Sequence, residues 1–257
     1  PGHRGVLSSA RLLVRHASAV NAVEPPTRVP QPPAELGRLG EALHWLAAAQ
    51  GGWPPRRPAQ RTSLAVTGGD GFASGCARAD ALADAGIDLL VVEGPEPTAA
   101  AFVVLCALLD LEPVTAIGTS TTPGWSETVV AVRDGLGEAR RLVGDPERLA
   151  TDPMLGHLSG LLSQSAVRRT PVVLGTSTAL GAAALLAERI APGARRWWLA
   201  GSQPPTPVAR RALEELELQP LLDLGLTVPG GAELAADLLI RGIDLVGGLH
   251  DSDPPCV

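Results

Sequence analysis

The sequence predicts a doubly wound α/β protein, a mostly parallel sheet with helices on both faces. Two observations carry this. Short, fully apolar, β-branched runs alternate with longer segments of helical period, the pattern of a parallel sheet covered on both sides. Two such runs, in "VTAIGTSTTPGW" (114–125) and "PVVLGTSTALGA" (171–182), exit through the same tetrapeptide, GTST, into helical sequence. Ligands of such folds sit at the carboxyl ends of the strands.

Taken in order, residues 1–60 read as a linker and helical segment, and 61–257 as the α/β domain. "EPPTRVPQPP" (24–33) is a stiff extended stretch. A helix is expected over 34–50, where Leu36, Leu39, Leu43 and Leu46 share a face. "GGWPPRRPAQ" (51–60) stops it. Strands are expected at 63–67, 87–92, 114–117, 171–174, 196–200 and 220–224. Helices are expected near 76–85, 98–110, 125–142, 153–168, 178–191, 205–217 and 230–248. In "RWWLA", Trp197 and Trp198 should face opposite ways, one into the core and one towards a partner.

The chain has 257 residues, of which 45% are hydrophobic and 19% charged, enough for a sizeable core. Its net charge of -6 argues against a nucleic-acid partner. Every Lys-or-Arg position is Arg, so neither a Schiff-base lysine nor a lysine phosphate clamp exists. Three scattered cysteines without metal-ligand spacing fit a reducing compartment, and Cys106 in "AFVVLCALL" reads as a buried hydrophobe. With no signal-peptide pattern and no membrane-length apolar run, a cytoplasmic location is expected.

The two GTST loops supply the candidate anion-binding residues: Gly118, Thr119, Ser120 and Thr121 in the first, Gly175, Thr176, Ser177 and Thr178 in the second. Glycine permits close backbone approach, hydroxyls add donors, and a helix N-terminus favours an anion. The same residues are also ordinary helix caps and strand terminators. Residues 175–179 lack the second glycine of a nucleophile elbow, because Ala179 stands there, so a serine hydrolase is not indicated. Asp70 in "TGGDGFASG" reads as part of a turn and His157 as a packing histidine. No metal or cofactor is implied.

The run from "QSAVRRTPVVLGTSTALGAAALLAERIAPGARRWWLAG" (164–201) to "LQPLLDLGLTV" (218–228) resembles the nicotinate-nucleotide:dimethylbenzimidazole phosphoribosyltransferase family. "QPPAELGRLGEALHWLAAAQG" (31–51), "ADAGIDLLVV" (83–92), "TAAAFVVLCALLDLEPV" (98–114) and "GWSETVVAVRDGL" (124–136) are similar to it as well. The resemblance implies a Rossmann-like three-layer fold with a small helical N-terminal lobe, and a homodimer. It also implies transfer of phosphoribose from nicotinate mononucleotide to dimethylbenzimidazole, for the lower ligand of cobalamin. A glutamate serves as base in that family, and glycine loops with a lysine hold phosphate.

Several family loops depart here. "EGPEPTA" (93–99) stands where the family has a glycine-rich phosphate loop; Gly94 and Thr98 keep its residue types, while Pro95 and Pro97 remove N–H donors. "TGGDGFA" (67–73) loses an acid–histidine pair. After Gly75 about half a domain of the family pattern is missing. "LTVPGGAELA" (226–235) replaces the loop bearing the catalytic glutamate, leaving Pro229 or Gly230 at the base position and Glu233 as the nearest carboxylate. Three functions remain open. One is a transferase with an altered site. Another is a non-catalytic relative that binds a nucleotide, an azole or an active family member. The third is a new activity using Ser120, Thr121, Ser177 and Glu233. The expected partners are a small nucleotide or azole and a second copy of the chain, with no membrane.

Overall fold

The computed structural model describes residues 23–95, 97–118, 124–226 and 228–251. Four strands form one sheet in the order β1 (Arg61–Ala65), β2 (Leu89–Glu93), β3 (Val172–Leu174), β4 (Trp198–Ala200), every neighbouring pair parallel. The register places Thr62 beside Leu90, Val91 beside Val173, and Leu174 beside Ala200. The helices are α1 (Gly37–Gln50), α2 (Phe72–Asp84), α3 (Ala99–Leu109), α4 (Pro113–Ile117), α5 (Trp125–Arg141), α6 (Pro146–Leu149), α7 (Pro153–Val167), α8 (Thr178–Ile190), α9 (Pro207–Glu215) and α10 (Gly231–Asp251).

Alternation along the strands explains the two-sided cover. Leu90, Val92, Val172 and Leu174 join a core with α2, α3, α7 and α8, whereas Leu89, Val91 and Val173 join a second core with α1 and α10. The predicted helices on both faces are therefore present. The predicted jump after Gly75 falls inside α2, which runs unbroken through it. Gly75, Gly156 and Gly160 let α2 and α7 touch backbone to backbone: a Cβ on Gly160 would lie 2.1 Å from the Phe72 carbonyl oxygen.

Three strand expectations are corrected. Residues 114–117 belong to helix α4, because Pro113 presets the first helical position and removes a donor that a strand would need. Its Ala116 is buried while Val114 is 48% exposed, a one-sided pattern at a spacing that suits a short helix. Residues 220–224 make only an isolated parallel bridge, Leu222 to Ser202, beside β4. Over 196–200 the strand starts at Trp198, after a 3-10 turn from Ala194 to Trp197. That turn rotates the Trp pair, so both rings are buried and neither is left for a partner; Trp197 Nε1 donates to the Glu24 carbonyl at 2.9 Å. Among the described residues, no helix is long and apolar enough to cross a membrane.

Candidate functional site

The carboxyl ends of β2 and β3, the loop before α9 and the head of α10 enclose a cleft of about 130 Å³. Glu93, the last residue of β2, supplies its carboxylate. Thr176, Ser177 and Thr178 form one wall, and Pro95, Pro97, Pro205 and Pro229 contribute flat apolar surface. The arrangement follows from the strand ends. An apolar run that finishes in an acid delivers that acid to the edge of the sheet, where the next element can meet it.

Glu93 is met by α10. Its Oε1 accepts the backbone N–H groups of Gly230 at 3.1 Å and Ala232 at 2.9 Å. Burial pushes the Glu93 pKa above the ordinary carboxylate value, more strongly than those N–H bonds pull it down; the nearby Glu233 charge adds to the rise. Two glycines create the space. A Cβ on Gly175 would stand 2.1 Å from Glu93 Oε2, and one on Gly94 would stand 2.1 Å from Ser177 Oγ.

The structure sorts the sequence candidates. Gly94, Thr176, Ser177 and Thr178 line the cleft, and Gly175 lies against Glu93. Two of the hydroxyls are engaged: Ser177 Oγ caps α8 by accepting from Leu180 N at 3.1 Å, and the Thr178 and Thr206 hydroxyls are 2.9 Å apart. Thr98 caps α3, accepting from Ala101 N at 3.2 Å. Gly118, at φ +78°, ends α4 and not a strand, and its carbonyl accepts from Trp125 Nε1 at 2.7 Å. The two GTST stretches are thus not equivalent strand exits. Thr119, Ser120 and Thr121 lie outside the described residues. Glu233, in the first turn of α10, pairs with Arg61 at 3.2 Å and is not among the cleft walls.

Away from the cleft, His157 on α7 meets Ser74 on α2, Nδ1 to Oγ 2.6 Å. Burial lowers the His157 pKa, against the raising influence of Asp70. Among the described residues no cluster of His, Cys, Asp and Glu is suited to a metal ion. The residue that sequence reasoning passed over is Glu93, although "LLVVEG" marks it: a carboxylate closing a four-residue apolar run at a strand's carboxyl end.

A parallel sheet with a carboxylate and a glycine- and hydroxyl-lined cleft at the carboxyl ends of its strands is an α/β scaffold with the cleft where such sheets hold ligands. Comparison sharpens the class. A family model described as "Phosphoribosyltransferase" matches residues 70–250. The nicotinate-nucleotide–dimethylbenzimidazole phosphoribosyltransferase of Mycobacterium avium (strain 104) is 44% identical over 177 residues, covering 66% of this chain and 50% of its own. The enzyme of that name from Mycobacterium tuberculosis is 40% identical over 187 residues, 70% of this chain and 50% of its own. The crystal structure of CobT from Thermus thermophilus superposes with a TM-score of 0.69 at 22% identity, over 95% of this chain and 96% of that one. The chain belongs to the nicotinate-nucleotide–dimethylbenzimidazole phosphoribosyltransferase family. It spans about half the length of the curated relatives it matches.

Proposed function

We propose that the chain transfers phosphoribose from nicotinate mononucleotide to an azole base, with Glu93 as the proton acceptor. The observation that carries this reading is the position of Glu93. The family resemblance puts the catalytic glutamate on the loop before α10, where Pro229 or Gly230 stands here, and Glu93 reaches that same loop from β2 to accept the Gly230 N–H. A carboxylate raised by burial is a better general base for a weakly acidic N–H than an ordinary one.

In this mechanism the azole lies between the proline faces of the cleft and turns its N–H towards Glu93. The proton passes to the carboxylate as the azole nitrogen attacks C1′ of the nucleotide ribose. The C1′–nicotinate nitrogen bond breaks, and nicotinate departs with the electron pair. Glu93 then releases its proton to water. The Oε1 bonds to Gly230 and Ala232 fix the carboxylate, leaving Oε2 to take the proton.

A second reading, azole binding without turnover, has its own support. Nucleotide-sized sites commonly run to about 300–1,000 Å³, and the cleft holds about 130 Å³. Most donors a phosphate would use are engaged: the Gly230 and Ala232 N–H groups bind Glu93, while Ser177 and Thr98 cap their own helices. Under this reading the chain works beside an active relative. Under either, a cytoplasmic protein that pairs with a second copy fits the family. The deciding experiment combines purified chain, nicotinate mononucleotide and dimethylbenzimidazole, and follows α-ribazole phosphate by chromatography. Product above background establishes transfer, and saturable azole binding without product establishes the second reading.

A further inference from the structure

A second cavity, of about 520 Å³, opens at the opposite edge of the sheet, beside the starts of β2 and β3. Its walls include Arg56, Arg57, Arg168 and Arg169, four guanidinium groups in one wall, of which only Arg56 has no carboxylate partner among the described residues. Asp88 is the single carboxylate in the wall. Its two oxygens are committed inward, accepting from Ala59 N at 2.7 Å and Gln60 N at 3.0 Å.

Helix ends account for part of this charge. Arg168 and Arg169 follow the last turn of α7, where a cation offsets the dipole. Arg56 and Arg57 stand in the loop between α1 and β1 and terminate no helix. The Gln50 side chain pins that loop through backbone atoms alone, accepting from Arg56 N at 2.7 Å and donating to Arg56 O at 2.8 Å. The Arg56 guanidinium itself makes no hydrogen bond or ion pair among the described residues. The other three lean onto carboxylates outside the cavity wall: Arg57 on Asp244, Arg168 on Asp80 and Asp84, Arg169 on Glu24. Asp84 and Glu24 are mostly exposed, so those two pairs are hydrated and hold weakly. Asp244 grips Arg57 bidentately and Asp80 is only 31% exposed, so a ligand would have to exchange with these two carboxylates. A phosphate offers each guanidinium a bidentate partner of matching geometry.

We infer that this cavity is a binding site for a linear polyphosphate group, diphosphate or longer, borne by a nucleotide or free. One phosphate engages one or two guanidinium forks; Arg56 offers a free one, and Arg57, Arg168 and Arg169 would add theirs by turning from their carboxylates, which calls for more than one phosphate. A space of this volume lies in the ordinary range for a small ligand. The site lies at the far edge of the sheet from Glu93 and stands independently of the function proposed there.

The test is isothermal titration of the intact chain with inorganic triphosphate, adenosine triphosphate and orthophosphate, with and without dimethylbenzimidazole. The expected result is saturable triphosphate binding at least tenfold tighter than orthophosphate, weakened by added salt and unaffected by the azole. Tighter binding of adenosine triphosphate assigns the ligand as a nucleotide; equal binding assigns it as free polyphosphate. The R56A/R57A variant should bind at least tenfold more weakly. R56A alone serves if that variant misfolds, since the loop is held at residue 56 by backbone contacts. No saturable binding, equal affinity in the variant, orthophosphate binding as tight as triphosphate, or displacement by dimethylbenzimidazole would each overturn the assignment.

Discussion

Glu93 and Gly175 share a space that only one side chain can fill: a Cβ on residue 175 would lie 2.1 Å from Glu93 Oε2 and 2.7 Å from its carboxyl carbon. The glycine of the second GTST loop therefore makes room for the carboxylate, and the two residues act as a unit. In Gly175→Ala the carboxylate must swing away from Gly230 and Ala232. Overpacking of this kind costs about 1–3 kcal/mol. Denaturant unfolding should show that loss, and azole binding should weaken in the same variant. A Gly175→Ala protein with unchanged stability and azole affinity would mean that the pair is not coupled.

Glu93 also sets a pH dependence. Its pKa is raised in the folded chain, so folding favours the protonated form. The stability it contributes is complete below the ordinary carboxylate range and is lost as pH rises through the raised folded value. Glu93→Gln does not titrate. The stability of this variant relative to the parent should therefore increase with pH across that window and then level off, as read from unfolding midpoints between about pH 4 and 8. A difference that stays flat would contradict a raised pKa at this site.

Ser177 and Thr98 act as helix caps before they act on any ligand. Ser177→Ala and Thr98→Ala should each destabilise by about 1 kcal/mol, the usual value of an N-cap hydroxyl. If Ser177 instead donated to a bound phosphate, its removal would weaken nucleotide binding well beyond this loss, which competition binding would detect.

Much of the scaffold was legible in the sequence, and the limits have physical causes. Apolar runs such as "LLVV" and "PVVL" give β2 and β3 because strands buried on both faces need continuous hydrophobicity. "VTAI" has the same composition and becomes α4, because Pro113 and a one-sided burial pattern outweigh β propensity. The Trp pair misleads in the same way, since a 3-10 turn breaks the alternation that a strand would impose. In the cleft, the second GTST loop was visible as strand-exit chemistry, and Gly94 through the resemblance to the family's phosphate loop. Glu93 was not, because its meaning depends on α10 arriving from some 140 positions further along the chain, as the Ala232 bond records.

Two of the three thiols should be inert in the folded chain. Burial raises the Cys76 thiol to about 12 and the Cys106 thiol to about 11, leaving almost no thiolate near neutral pH. Alkylation at neutral pH followed by peptide mapping should leave both unmodified until denaturant is added. Rapid labelling of either in the native protein would show that α2 or α3 opens readily.

The central claim is that Glu93 takes the proton of the acceptor base. The direct measurement is the rate of α-ribazole phosphate formation by the parent chain and by Glu93→Gln, each across pH. The parent should form product with an acid limb above the ordinary carboxylate range. Glu93→Gln should lose the limb and about a hundred- to ten-thousand-fold in rate, the usual worth of a general base. Equal rates with the same pH profile in both proteins would contradict the account.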